Sequence, residues 1–267
     1  MVDDANILHV EQTDKGVLRL TMDDQNSRNA LSEAMMKSLI EELTKASSND
    51  SVRVVIIASN GPVFSAGHDL KEITAVRNQN DFGEEYFEKL FDTCSDLMKL
   101  VVACPKPVIA EVSGVATAAG CQLVASCDLA TASDSAQFAT PGVNIGLFCS
   151  TPMVALSRNV TKKHAMEMLL TGDMIDAEKA KEIGLINSYF HPSELTKETT
   201  ILANKIASKS SMTVSMGKNA FYSQFDLDLS SAYEYTSKVM VENILKEDAE
   251  EGIGAFIEKR PPRWTDK

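Results

Sequence analysis

Two rhythms of apolar residues alternate along the first two thirds of the chain. Apolar positions at 7–12 and 16–22 flank Thr13-Asp-Lys-Gly16, a turn signal, and predict a hairpin. The polar stretch Asp23-Asp-Gln-Asn-Ser-Arg-Asn29 then reads as a loop. Met35, Leu39, Leu43 and Ala46 recur at helical spacing behind Ser32, a good helix-capping residue. The apolar run at 52–58 predicts a buried strand leading into a loop at 64–71. Phe87, Leu90, Phe91, Cys94, Leu97, Met98 and Val101 mark a long amphipathic helix, stopped by Pro105 and Pro107. Val108–Val112 predicts a further strand, which delivers a small-residue stretch from Gly114 and an apolar helical run toward Asp128. Short strands are expected at 129–132 and Gln137–Ala139, and a loop at 140–146. Residues 147–158 are mostly apolar and small. Helices are expected at 163–171 and 176–184, with a turn at Gly172 between them, and a last strand at 186–190. From Ser193 the pattern is helical only. Leu195, Thr199, Leu202 and Ile206 share one face, and helical segments follow around 212–225, 229–245 and 250–259. Strands alternating with helices, then helices alone, predict an α/β core over residues 1–195 and a helical C-terminal region over 196–267.

Composition narrows the function classes. A chain of 267 residues can bury a sizeable core. Its 26 Lys and Arg against 38 Asp and Glu give a net charge of −12. That excess of negative charge argues against a nucleic-acid partner and against an anionic membrane surface, while leaving room for a local basic pocket. No apolar run reaches the roughly 18 residues of a membrane-spanning helix. The opening Met-Val-Asp-Asp-Ala-Asn lacks signal- and transit-peptide character, so the expected location is cytoplasmic; the mitochondrial matrix is the alternative if a transit segment lies outside this chain. Five cysteines, odd in number and mostly in apolar segments, read as reduced core thiols. They have no zinc spacing, and the four histidines are scattered, so no metal is expected.

Two stretches carry the chemistry. In Gly114-Val-Ala-Thr-Ala-Ala-Gly-Cys-Gln-Leu-Val-Ala-Ser-Cys-Asp128, Gly114 and Gly120 remove bulk and let the backbone approach a neighbour closely. Ala119, Gly120 and Cys121 would open a helix, and its first N–H groups would be free to receive an anion or a developing oxyanion. An ordinary strand–loop–helix junction would carry the same residues. The second stretch is Pro62-Val-Phe-Ser-Ala-Gly-His-Asp-Leu-Lys71. Together the two resemble the crotonase (enoyl-CoA hydratase/isomerase) superfamily: the second matches its F-x-x-G-x-D-[LI] loop and the first its G-x-x-x-x-x-G-x-x-[LM]-x-x-x-C-D pattern. The resemblance runs from about Val17 to Arg260.

The resemblance implies a spiral of ββα units forming two roughly perpendicular sheets, with a C-terminal helical region that builds a homotrimer or homohexamer. It implies an acyl-CoA thioester as the small-molecule partner. Coenzyme A would enter as part of the substrate, and no separate cofactor is expected. Carried over residue by residue, the N–H groups of His68 and Ala119 would hold the thioester oxygen and stabilise an enolate. Ala66, Asp69, Leu70 and Gly120 would shape the CoA-binding loops, with Asp69 mainly organising its own loop. Arg28 and Lys71 would meet CoA phosphates. Phe256, Lys259 and Arg260 resemble a segment that reaches an adenine-nucleotide site, in some members that of a neighbouring subunit. The His68 side chain would either touch the ligand or simply bond to a nearby carbonyl.

The departures from the pattern are as informative. The superfamily's hydratases use two glutamates to activate water. Their positions here hold Gln122 and Gly142. A glutamine orients water but exchanges no proton near neutral pH, and a glycine offers no side chain. The position used by some double-bond isomerases falls near Ser150. These features match a branch lacking both hydratase glutamates. His68, Gln122, Asn144, Cys149 and Ser150 remain as expected pocket residues. Three readings follow. One is an acyl-CoA enzyme needing only enolate stabilisation, such as a decarboxylase or thioester hydrolase. The second is a weak enoyl-CoA hydratase, and the third a catalytically silent acyl-CoA-binding protein.

Overall fold

The computed structural model describes residues 7–77 and 82–267. The opening residues 1–6, on which the reading of a missing leader rests, lie outside it. Strands β1 (Leu8–Gln12) and β2 (Val17–Met22) form the expected hairpin, with Leu8 opposite Met22 and Gln12 opposite Leu18. Its turn passes through Gly16 at φ +78°, where an added Cβ would sit 2.7 Å from the Ser51 oxygen. Parallel to β2 lie β3 (Val54–Ser59), β5 (Val108–Val112), β7 (Leu129–Ser133) and β10 (Ser188–Phe190). The six strands run in the order β1-β2-β3-β5-β7-β10. A second sheet, β4-β6-β8-β9, is made from the short strands β4 (Val63–Ser65), β6 (Val115–Thr117), β8 (Gln137–Ala139) and β9 (Ile175–Asp176). Its first three strands pair in parallel and β9 antiparallel. Each of β3, β5 and β7 is followed directly by a strand of this second sheet, and helices return the chain to the first. That is the ββα repeat.

Central strands β3 and β5 are apolar almost throughout because both of their faces are covered. Val55 and Ile57 join the main core with α1 (Glu33–Ser48) and α3 (Glu84–Ala103). The alternate residues Val54 and Ile56 pack with Ala203 and Ala207 of α8 (Pro192–Ala207) on the opposite face. Glu111 points to that second face, where Arg19 grips it through two bonds of 2.9 and 2.7 Å. Ser32 caps α1 by accepting from the Met35 N–H, as its sequence position predicts.

The remaining helices are α2 (Leu70–Val76), α4 (Ala119–Ser126), α5 (Pro152–Asn159), α6 (Lys162–Thr171), α7 (Ala177–Glu182), α9 (Ser211–Gln224), α10 (Leu229–Ile244) and α11 (Glu247–Glu258). Strands β4 and β6 fall in stretches that read as loops, and α2 starts at the end of the loop expected at 64–71. Three-residue strands are too short for a periodic signal. The expected loop at 140–146 contains a 3₁₀ turn, Pro141–Ile145. A buried lysine ties the C-terminal helices to the core. Lys218 of α9 donates to the carbonyls of Val101 and Lys106 and to the Asp128 carboxylate at 2.7 Å. Tyr222, one turn on, donates to the other Asp128 oxygen at 2.9 Å. By contrast α10 buries none of its residues within this chain.

Candidate functional site

Three loops meet at the N-terminus of α4. The loop after β2 docks on the loop after β4 through Ala66 N–H to Arg28 O (3.2 Å) and Leu31 N–H to Gly67 O (2.8 Å). Buried Asn29 holds the first loop in place, donating to the Asn60 and Val63 carbonyls at 3.0 and 2.7 Å. Thr117, at the end of β6, donates its hydroxyl to Ala66 O at 3.1 Å and brings in the third loop. Two glycines permit the close approach. Gly67 has φ +89°, and a Cβ there would lie 2.9 Å from the Ala118 Cβ and 3.2 Å from the Ala119 nitrogen. A Cβ on Gly120 would overlap the Ser65 backbone oxygen.

Between them Ala118 adopts φ 50°, ψ −119°, a conformation that side chains rarely take. Strain of this kind costs of order 1–3 kcal/mol and gathers at functional sites. It is held by Ala118 N–H to Ala139 O at 3.0 Å, and the first bond into α4 is Gln122 N–H to Ala118 O at 3.0 Å. Among the described residues, neither the Ala119 nor the His68 N–H donates to a protein acceptor. Two uncommitted donors therefore lie at the same junction, one of them at the start of a helix.

The surrounding side chains sort clearly. The His68 ring stands edge-on to Phe91, with centroids 5.5 Å apart, and its Nδ1 lies 3.3 Å from Leu31 O. Its Nε2 is buried without a partner. Burial lowers its pKa, against a smaller opposing effect from the Leu31 carbonyl, so the ring is neutral at pH 7. Asp69 caps α2 by accepting from the Lys71 N–H at 2.7 Å, which is the loop-organising part expected of it. Leu70, Lys71 and Arg28 are exposed, and among the described residues neither cation has an acidic partner. Gln122 is buried, with its Oε1 3.9 Å from the Cys94 Sγ of α3.

Gly142 is also buried, and its surroundings are full. A Cβ there would lie 2.6 Å from Leu147 O and 2.9 Å from the Cys149 Sγ. No larger side chain fits without displacing residues 147–149. Of the other expected pocket residues, Cys149 is buried with its thiol pushed up in pKa by that burial. Asn144 and Ser150 are both exposed: the Asn144 amide sits by Gly172, and the Ser150 hydroxyl bonds back to Phe148 O. Phe256 and Lys259 lie at the end of α11, and Phe256 is 86% exposed. They do not join the junction within this chain. Sequence reasoning missed Phe91 and Cys94 as site residues. They share a face of α3 with Met98, three and four residues apart, but that spacing also fits plain core packing. It missed Thr140 too, whose buried hydroxyl has no partner beside Gly142. Among the described residues no cluster of three His, Cys, Asp or Glu side chains could hold a metal.

A family model described as enoyl-CoA hydratase/isomerase matches residues 12–267. The chain belongs to the enoyl-CoA hydratase/isomerase family. It is 49% identical to the mitochondrial enoyl-CoA hydratase domain-containing protein 3 of Homo sapiens, over 94% of this chain and 81% of that protein. It is 34% identical to the 2,3-dehydroadipyl-CoA hydratase of Escherichia coli K12, over 92% and 94%. Among solved structures, a Mycobacterium smegmatis enoyl-CoA hydratase superposes with a TM-score of 0.92 at 47% identity, covering 97% of this chain and 98% of that one. Human enoyl coenzyme A hydratase domain-containing protein 3 superposes equally well at 48% identity, covering 97% and 100%. The expected α/β crotonase fold, with two sheets and a helical C-terminal region, is therefore established.

Proposed function

We propose that the chain binds an acyl-CoA thioester with its carbonyl oxygen between the His68 and Ala119 N–H groups, in the manner of an oxyanion hole. The observation that carries this reading is the pair of uncommitted donors held together by Gly67 and the strained Ala118 turn. Such donors are worth a few kcal/mol each once negative charge develops on the oxygen. The dipole of α4 adds to the Ala119 donor. Arg28 and Lys71 supply cations for the CoA phosphates, with Ala66, Leu70 and Gly120 shaping the path. Phe256 and Lys259 serve the nucleotide of a neighbouring subunit in a trimer or hexamer. The exposed apolar residues of α10, including Tyr233, Met240 and Ile244, support such an assembly.

Two-glutamate hydration is not its chemistry. Gln122 exchanges no proton near neutral pH, and the space at Gly142 is closed by Leu147 and Cys149. Burial raises the Cys149 pKa, which argues against it as a nucleophile. What remains is a site that binds a thioester and stabilises its enolate while Gln122 orients a water. The enolate serves decarboxylation; in hydrolysis the same two donors would hold the tetrahedral oxyanion formed when water adds to the carbonyl, with the CoA thiolate as leaving group. The closed position at Gly142 favours silent binding as the second reading. The relatives named as mitochondrial favour the matrix over the cytoplasm, and five buried free thiols suit either reducing compartment. No helix among the described residues is long and apolar enough to cross a membrane.

The test is calorimetric titration with crotonyl-CoA and with its thioether analogue, which lacks the carbonyl oxygen, while the enone absorbance is followed. The thioester should bind about tenfold tighter or more, since each hydrogen bond contributes about 1 kcal/mol. The enone band should persist. Its loss at ordinary enzyme rates of about 1–10³ s⁻¹ would overturn the argument from Gln122 and Gly142. Equal affinity for the thioether would overturn the carbonyl site.

A further inference from the structure

The last residues of the chain form a strap. Helix α11 ends at Lys259, whose left-handed φ of 55° turns the chain back. Residues 261–267 have no regular secondary structure and return along α11 from its end toward its start. Arg260 grips Glu251 through bonds of 2.6 and 2.8 Å, and the same carboxylate accepts the Arg263 N–H at 2.7 Å. Nearer the start of α11, Asp248 accepts the Thr265 and Asp266 N–H groups at 2.7 and 3.0 Å, and its own N–H donates to Lys267 O at 3.2 Å. The other side of the strap is pinned to the body. Trp264 donates its indole N–H to Ser208 O, just past α8, at 2.9 Å, and its ring packs on α11 at Gly252, where an added Cβ would lie 3.2 Å from it. Asp266 accepts from Arg53, just before β3, at 2.8 and 3.3 Å, and from the Ser211 N–H at the start of α9 at 2.6 Å. Arg53 in turn donates to the Ala207 and Lys209 carbonyls at 2.7 and 2.6 Å.

Helix α11 has little hold of its own. Asp248 and Ala255 are its only buried residues, and Ile253, Phe256 and Ile257 are more than half exposed. A carboxylate buried as deeply as Asp248 is tolerated only where donors satisfy it, and the strap supplies two N–H groups and the Thr265 hydroxyl. The helix therefore depends on the strap. The strap meets the body through a few polar bonds and one ring rather than a broad apolar face, which is the make-up of a segment that opens locally.

We propose that residues 261–267 are a latch that holds α11 against the body, and that latch and helix open as a unit while the sheets stay folded. The end of α11 carries Phe256 and Lys259, so Asp266 and Trp264 are positioning residues for that segment, an assignment that rests on the nucleotide reading above.

The test is hydrogen exchange on the full chain, with emission from Trp264, its single tryptophan, as a second readout. Asp266→Ala removes the partner of Arg53 and the acceptor of the Ser211 N–H. In that variant the α11 amides should exchange about tenfold faster or more, the worth of one hydrogen bond to a charged group, and the emission should move to longer wavelength. Amides of β3 and β5 should exchange as in the parent. Lys238→Ala, which breaks an exposed pair with Glu234 on α10, should match the parent throughout. If Asp266→Ala does not fold, urea on the parent makes the same test: the Trp264 signal should change at lower urea than the far-ultraviolet circular dichroism. Unchanged α11 exchange in Asp266→Ala, equal acceleration of α11 and the sheet, or coincident urea transitions would overturn the latch. Crotonyl-CoA should bind Asp266→Ala about fivefold more weakly than the parent, while crotonyl-pantetheine, which lacks the nucleotide, should bind both alike. Equal affinity of the two thioesters for the parent would overturn the nucleotide reading and leave the latch standing. No weakening of either by Asp266→Ala, or equal weakening of both, would overturn the positioning role.

Discussion

Gly67→Ala probes the joint on which the site depends. The residue has φ +89°, where an L side chain is strained, and its new Cβ would lie 2.9 Å from the Ala118 Cβ and 3.1 Å from Thr117 O. Strain from a left-handed backbone alone is about 1–2 kcal/mol, offset by roughly 0.4–1 kcal/mol through the stiffer unfolded chain. Crowding against a packed neighbour adds about 1–3 kcal/mol. The expected destabilisation is therefore about 2–4 kcal/mol. Gly146→Ala provides the control. Its φ is +78°, but nothing lies within 4 Å of the added Cβ, so only the backbone part applies. Urea denaturation should give Gly146→Ala a loss of about 1 kcal/mol or less and Gly67→Ala at least twice that. Relief of the clash parts the His68 and Ala119 N–H groups, so Gly67→Ala should also weaken thioester binding about fivefold, by the loss of a hydrogen bond of about 1 kcal/mol, while Gly146→Ala should not. Equal destabilisation by the two variants, with thioester binding intact in both, would refute the argument that Gly67 sets the joint.

Further outcomes can be checked directly. Asp128→Ala strands buried Lys218 and removes the acceptors of Tyr222 and the Val108 N–H; it should cost about 3–5 kcal/mol in urea denaturation. Burial lowers the His68 pKa below its ordinary 6.5. The stability this contributes is full above pH 6.5 and is lost as pH falls through the lowered folded value. Urea midpoints at about pH 7.5 and 5.5 should therefore fall more in the parent than in His68→Gln. Gly142→Glu combined with Gln122→Glu should lower Tm and gain no hydration activity, because the new side chain at 142 collides with Leu147 and Cys149. The thiols of Cys94 and Cys121, buried and pushed up to about 12, should resist iodoacetamide in the native state and react once urea unfolds the chain.

Much of this was legible in the sequence where a signal was periodic or tied to one residue. The helical faces of α1, α3 and α8, the apolar runs of β3 and β5, and Ser32 as a cap all fall where their patterns place them. The glycines at 67 and 120 were visible in the two motifs. The reason for them, contact with Ala118 and with Ser65 from distant parts of the chain, was not. Short strands such as β4 and β6 hold too few residues to show a rhythm. Asn144 and Ser150 sat near the site in sequence, yet the turn after Pro141 leaves both exposed. The packing of α9 on α3 is the clearest case of what local pattern cannot show. The two stand more than a hundred positions apart in the chain, and Lys218 of α9 joins them through the Val101 carbonyl, held beside Asp128. The closure at Gly142 likewise depends on the fold of residues 147–149, so sequence alone registers a missing glutamate but not the lack of room for one.

The most direct test of the central claim is the carbonyl itself. Infrared difference spectra of crotonyl-CoA carrying a ¹³C carbonyl, free and bound, report the hydrogen bonds made to that oxygen. Two donors at His68 and Ala119 predict a clear fall in the carbonyl stretching frequency on binding, and a smaller fall in Gly67→Ala. A bound thioester whose carbonyl frequency matches the free one would contradict the account.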